Sequence, residues 1–287
     1  MTNEVYIIAA KRAPIGGFLE NLEKYSSKQL EALAIKEAYQ SVTIDPNTIC
    51  AVYKGNNAEM YAKKYGLSRK QQDEYALSSY SKTKKATKEG KFKNEIVPIK
   101  ITRKMGETII NDDEDINKVI PEKVSKLNPY FDKNGSITAA NASNLNDAEA
   151  AILLASKEAA EKYNLKPLAK IISYADATQA PECFTTAPLI AIKKALKQAK
   201  LTINGVDFIE ITEAYATVIL ASPKTLDFDI NKVNIYGGEF IGHYLGASGL
   251  RIICTLGSVL QQDGGKYGIA AICNGGGGAS TIVIEKI

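Results

Sequence analysis

The sequence predicts a layered α/β fold in which helices cover sheets. Short apolar runs alternate with helical stretches at both ends of the 287-residue chain, the pattern of stacked β and α layers. The opening stretch and the last third follow one plan. With 45% hydrophobic residues, a chain of this length can bury one large or two modest cores.

Val5 to Ala10 is a short apolar strand. Ser27 to Ser41 places Leu30, Leu33, Ala34 and Ala38 on one side of a helix, and Ile49 to Tyr53 is a second strand closed by Gly55 and Asn56, giving a β-α-β opening. Ala58 to Tyr80 is polar and helical, with Ser68 placed to cap a helix through Gln71, Tyr75 and Ser79. Asp112 to Asp115 begins a charged loop. Small apolar residues then predict a brief strand at Ile137 and Thr138, a helix at Ala148 to Ala151 and a strand at Ile152 to Ala155. The last part alternates again: strand Leu168 to Tyr174, helix Pro188 to Ala199, strand Asp207 to Ile211, a helix start at Ala214 to Leu220 and a long helix Ser248 to Gln262. Closing strands follow at Gly268 to Ile272 and Thr281 to Ile284.

Composition excludes several function classes. Thirty-six basic against 32 acidic residues leave +4, too little to draw a domain to nucleic acid. Lys82, Lys84, Lys85, Lys88, Lys91 and Lys93 crowd one stretch, readable as a solvated helix face or as a site for a phosphorylated ligand. No apolar run reaches the roughly 18 residues of a membrane span. Glu4 near the start and the Glu-Lys-Ile ending match no presequence or peroxisomal address, so a cytoplasmic protein without membrane contact is expected. Cysteines at 50, 183, 254 and 273 lack C-x-x-C spacing, and a lone histidine leaves too few ligands for a zinc site. No metal or cofactor is expected.

The chemistry concentrates near the end. Cys273 opens the run Cys-Asn-Gly-Gly-Gly-Gly-Ala-Ser between two apolar strands. Successive glycines let peptide N–H groups approach a ligand with no Cβ in the way, a nest that stabilises a thiolate or a developing oxyanion. The alternative is a tight strand connection. His243, the sole histidine, lies in Gly-His-Tyr-Leu-Gly-Ala-Ser-Gly, where it is either a partner in acyl transfer or a hydrogen-bonded, inert side chain.

These residues, with the opening VYIIAAKRAPIG, the central TAANASNLND, PECFTTAP at 181–188, TEAYA at 212–216, GHYLGASGLR at 242–251 and CNGGGGAS at 273–280, resemble the thiolases, and most of all the fungal cytosolic acetoacetyl-CoA thiolases. The resemblance implies a thiolase-like layered fold of two similar β-α-β halves with a loop domain over coenzyme A. Residues 1–57 and 135–157 then form an incomplete N-terminal half, 58–134 a partial loop domain and 158–287 the C-terminal half. The implied reaction is condensation of two acetyl-CoA to acetoacetyl-CoA, or the reverse thiolysis, feeding sterol precursors, with acetyl-CoA and CoA as substrates and no other cofactor. The resemblance makes Cys273 the acid/base, Gly275 a backbone donor of the oxyanion hole and His243 the histidine that activates the nucleophile and binds the thioester oxygen. Ser143 and Leu145 match contacts to the pantetheine arm, and Thr212 stands where the family has the asparagine that holds the catalytic water. Glu213, next to it, is read as structural.

The chain also departs from the family. Asn56 and Asn57 run directly into a stretch resembling the later loop domain, so a block on the order of a hundred residues, comparable to a small domain, is missing with the nucleophilic cysteine. Tyr244 replaces a proline, and Glu239 stands where a small residue is expected. Cys50, Cys183 and Cys254 are weak replacements, since free cysteines are mostly small buried hydrophobes. The family implies a homo-oligomer, but its dimer strand belongs to the missing block. The alternative to an active acetyl-CoA C-acetyltransferase is a non-catalytic thiolase-like protein binding CoA or a full-length paralogue, or a sequence with coding segment lost between Asn56 and Ala58.

Overall fold

Alternation of side chains across one sheet sets the layers. The computed structural model describes residues 5–15, 33, 56–103, 106–144, 146–238, 240, 242–244 and 246–287. In chain order the elements are β1 (Val5–Arg12), α1 (Asn56–Lys64), α2 (Arg69–Lys88), β2 (Ile99–Arg103), β3 (Gly106–Ile110), α3 (Pro121–Val124), β4 (Ala150–Ser156), α4 (Lys157–Lys162) and β5 (Ala169–Thr178). They continue with α5 (Ala187–Ala199), β6 (Phe208–Ile211), α6 (Ala216–Ala221), α7 (Ser248–Gln262), β7 (Tyr267–Cys273) and β8 (Gly278–Lys286). Six strands form one sheet, β4-β1-β5-β8-β7-β6, and β2 pairs with β3 in a separate hairpin. Among the described residues, the β6–β7 pair is the parallel one of this sheet and the other pairs are antiparallel.

Ile209 and Ile211 of β6, Ala271 of β7 and Ala175 of β5 pack with Ile192 and Ala195 of α5. Ala270 and Ile284 point the other way, onto Ile252, Leu256 and Leu260 of α7, whose four-residue spacing lays one stripe along the sheet. Gly268 leaves room for that stripe: a Cβ would stand 2.7 Å from Leu256 Cδ1 and push the side chain aside. At the β6 edge the Asn234 side chain stands in for a strand, accepting from Ile211 N and donating to Ile211 O, each at 2.9 Å. That satisfies backbone groups an open edge would expose.

The expected cap is present. Ser68 accepts from Gln71 N while the Gln71 side chain accepts from Ser68 N, a reciprocal box at the start of α2. Two local expectations are corrected. Ala150 and Ala151 begin β4 rather than ending a helix, because pairing with Arg12 and Lys11 outweighs alanine's helix propensity. Ile137 and Thr138 are not a strand: the Glu59 carboxylate accepts from Ile137 N and the Asn141 side chain from Thr138 N, both at 2.8 Å, so side chains take the groups a ladder would use. The predicted helix at 27–41 and strand at 49–53 lie outside the described residues, except Leu33, which is helical and packs on Ala13, Ile99 and Ile101.

A charged layer lies between the sheet and α7. Glu210, on the α7-facing side of β6, is 1% exposed and neither carboxyl oxygen accepts a hydrogen bond among the described residues. Burial pushes its pKa up to about 8, against the pull of Arg251 and with a push from Glu213 and Glu95. The folded protein therefore keeps a proton that the unfolded chain releases near its ordinary value of 4.5, so this group's contribution to stability falls as pH rises from about 4.5 to 8. The urea midpoint is expected to drop across that window by an equivalent on the order of 4 kcal/mol, and Glu210→Gln to remove most of the drop. Equal pH profiles for the two proteins would refute the assignment.

Candidate active site

The carboxyl ends of the parallel pair β6 and β7 carry the site. Thr212 N donates to Ala271 O at 3.1 Å, extending the ladder one step past β6. The Thr212 hydroxyl is buried with no hydrogen-bond partner among the described residues, so a site water is one way to satisfy it. Cys273 ends β7 on the α5-facing side, half-buried against the cluster that contains Ile137, Phe184 and Tyr215.

The loop after Cys273 is held from within. Asn274 Oδ1 accepts from Gly276 N at 3.0 Å and Gly278 N at 3.1 Å, Gly277 N donates to Asn274 O, and Gln179 N donates to Gly277 O at 2.9 Å. None of these bonds uses the Gly275 N–H. Glycine is obligatory at 277: φ is +86°, and a Cβ would lie 2.3 Å from Gln179 O.

The segment 141–146 is stitched between two others. Ser143 N and Oγ donate to Ala214 O at 3.1 and 3.2 Å, and Ala216 N donates to Asn141 O. His243 N donates to Asn144 O at 2.8 Å and Asn146 N to His243 O at 3.2 Å. His243 Nδ1 lies 2.7 Å from Ser248 Oγ in the first turn of α7, which orients the ring and directs Nε2 elsewhere. A Cβ added at Gly249 would lie 3.8 Å from the Ile272 side chain, so the start of α7 lies beside the end of β7. These bonds set Thr212 beside Ala271, two residues before Cys273, Ser143 against Ala214, and His243 against Asn144 of the same segment. Leu145, Glu239 and Cys50 lie outside the described residues.

Glu213 has a structural environment. Its carboxylate accepts from Tyr75 Oη at 2.6 Å, Ser79 Oγ at 2.8 Å and Asn234 Nδ2 at 3.0 Å, tying α2 to the segment after β6. Burial raises its pKa and these hydrogen bonds oppose the rise. Cys254 lies on the buried face of α7 and burial pushes its thiol up, so it is inert. Cys183 is half-buried in the turn Pro181–Thr186, beside the Tyr61 hydroxyl. The lysine stretch disperses: Lys91 pairs with Asp263 at 2.9 Å, Lys82 reaches Val233 O, and Lys84, Lys85 and Lys88 are exposed.

Sequence reasoning missed three aromatic residues. Tyr215 packs edge-on against Phe131 and Phe184, each with ring centroids 6.3 Å away. Its only signal was its place two residues after Glu213. Behind segment 139–144 a cavity of about 260 Å³ is lined by Lys118, Lys123, Ile120, Leu127, Ala140 and Asn144. Among the described residues no cluster of three His, Cys, Asp or Glu side chains could hold a metal ion, and no helix is long and apolar enough to cross a membrane.

Comparison with known proteins matches two family models, thiolase N-terminal domain over residues 51–158 and thiolase C-terminal domain over 165–286. Acetyl-CoA acetyltransferase IA of Candida tropicalis is 48% identical over 237 residues, 81% of this chain and 59% of that protein. Acetyl-CoA acetyltransferase of Saccharomyces cerevisiae is 49% identical over 238 residues, 81% of this chain and 60% of that protein. The chain thus spans about three-fifths of the curated relatives it matches. The crystal structure of Acat5 thiolase from Ascaris suum in complex with coenzyme A superimposes with a TM-score of 0.89 at 32% identity, covering 99% of this chain and 100% of that chain.

Proposed function

The chain belongs to the thiolase family, and we propose that it carries the acid–base half of an acetyl-CoA acetyltransferase site, binding CoA thioesters without the nucleophile that completes condensation. What supports this reading is that Thr212 and Cys273 follow the paired ends of β6 and β7, with Ser143 bonded to Ala214 and His243 to Asn144. In this reading the Cys273 thiolate takes a proton from the methyl of acetyl-CoA. The negative charge that builds on the thioester oxygen is met by His243 Nε2 and a water on the Thr212 hydroxyl, while the Gly275 N–H faces the acyl carbonyl that the enolate would attack. Ser143 and Leu145 line the path of the pantetheine arm. The cavity behind segment 139–144 offers apolar walls, with Lys123 and with Lys118, the latter paired to Asp115 at 2.7 Å, as the cations that phosphates would meet.

The nucleophile belongs to the block that separates Asn56 from Ala58 in complete thiolases, and the family dimer strand goes with it. A cytoplasmic place in sterol precursor synthesis and self-association are part of the same proposal. No further cofactor is required by it. Titration calorimetry with CoA tests the binding claim: one site is expected, weakened about tenfold by Lys118→Ala with Lys123→Ala. No heat with either CoA or acetyl-CoA rejects it.

A further inference from the structure

Asp115 stands behind the backbone of His243. It lies in the short 3-10 turn Glu114–Asn117 and is 5% exposed. That turn is fastened to the residues after β1: Glu114 N donates to Ile15 O at 2.9 Å, and Asp113 accepts from Ile15 N at 2.8 Å. One Asp115 carboxyl oxygen accepts from Asn146 Nδ2 at 3.0 Å, and the other pairs with Lys118 at 2.7 Å. Asn146 in turn meets the His243 segment twice. Its N–H donates to His243 O at 3.2 Å, and its side chain fills the space beside Gly242, where a Cβ would stand 2.6 Å from Asn146 Cγ and 2.4 Å from Ile15 Cγ2. With Asn144 O accepting from His243 N at 2.8 Å, both backbone polar groups of His243 are held. The bond from Asn146 to Asp115 is charge-assisted, the stronger kind, and it fixes which way the amide faces.

We propose that Asp115 is a positioning residue for His243. By holding the Asn146 side chain against Gly242 it sets where the imidazole stands and, with Ser248 on Nδ1, where Nε2 points. This rests on reading His243 as a donor to the thioester oxygen. A misplacement of about 1 Å in a reacting group can cost on the order of 10²-fold in rate, so a link that fixes its backbone bears on the reaction without touching substrate.

His243 is the sole histidine of the chain, so the Cε1–H cross-peak of histidine-labelled protein without a tag reports this ring directly. At about pH 8.5, where an ordinary imidazole is neutral, wild type is expected to give one sharp peak. Asp115→Ala is expected to displace or split it. Asp115→Asn removes the charge but keeps an acceptor for Asn146, and is expected to restore it. Asn146→Ala should displace the peak as Asp115→Ala does, with no further change in the double variant. A wild-type peak in Asp115→Ala overturns the proposal. So does an equal displacement in Asp115→Asn, which reports the lost charge instead, or additive displacements in the double variant, which show that Asp115 acts by another route. If Asp115→Ala does not fold, displacement in Asn146→Ala but not in Asp115→Asn supports the proposal and any other pattern overturns it. The measurement needs no CoA, so the expected pattern with silent calorimetry supports Asp115 and rejects the CoA reading, whereas CoA binding with superimposed peaks does the reverse.

Discussion

Replacing Arg12 by methionine is expected to cost about 3–5 kcal/mol of folding stability, read as a lower urea midpoint at unchanged slope. Arg12 is 1% exposed, yet its guanidinium is fully engaged. Nη1 and Nη2 donate to Asp113 at 2.6 and 2.9 Å, Nε donates to Glu95 at 2.9 Å, and the group lies 5.4 Å from the centre of the Phe92 ring. The fork ties the end of β1 to two segments distant in sequence. Without it the two buried carboxylates keep, among the described residues, Ile15 N, Thr255 and Ser258 as donors and repel each other. Lysine is no substitute, because one ammonium cannot present the planar fork. A loss under about 1 kcal/mol would mean that the pair is solvated in solution.

That layer was invisible in the sequence, and the reason is physical. Arg12 is 83 residues from Glu95 and 101 from Asp113, and nothing local tells a buried ion pair from a solvated charge. The periodic elements were legible because side-chain period reports the buried face directly: α7 begins and ends where its apolar spacing does. The Ser68 box was legible from two residue types at one spacing. Ala150 and Ala151 were misread because alanine fits either element and only the partner strand decides.

The second large effect is a missing one. Purified protein given acetoacetyl-CoA and CoA is expected to lose the enolate absorbance no faster than Cys273→Ala does. A nucleophile that acts as part of a unit contributes on the order of 10⁶ in turnover, and the described cysteines are poor replacements. Cys254 is on the buried face of α7, and Cys183 sits in a separate turn against Tyr61. Turnover clearly above the Cys273→Ala control would show that some other group attacks the thioester.

The candidate site was legible in part. Glycines after Cys273 marked either a ligand cradle or a tight strand connection, and Gly277, with a φ only glycine adopts readily and Gln179 O against it, serves the connection. His243 stood out as the only imidazole. What the residues alone could not give is the stitching: Ser143 to Ala214 and Asn144 to His243 are long-range backbone bonds, and backbone bonds leave no mark on residue type. The aromatic clamp on Tyr215 joins rings from three separate segments, so it emerges only on folding.

The most direct measurement is deuterium uptake into the methyl group of acetyl-CoA, followed by mass in deuterated buffer. The proposed half-site abstracts that proton with no nucleophile, so exchange should exceed the buffer rate and fall about 10²–10⁴-fold in Cys273→Ala. Exchange equal to buffer, or equal in the wild type and the Cys273→Ala protein, would contradict it.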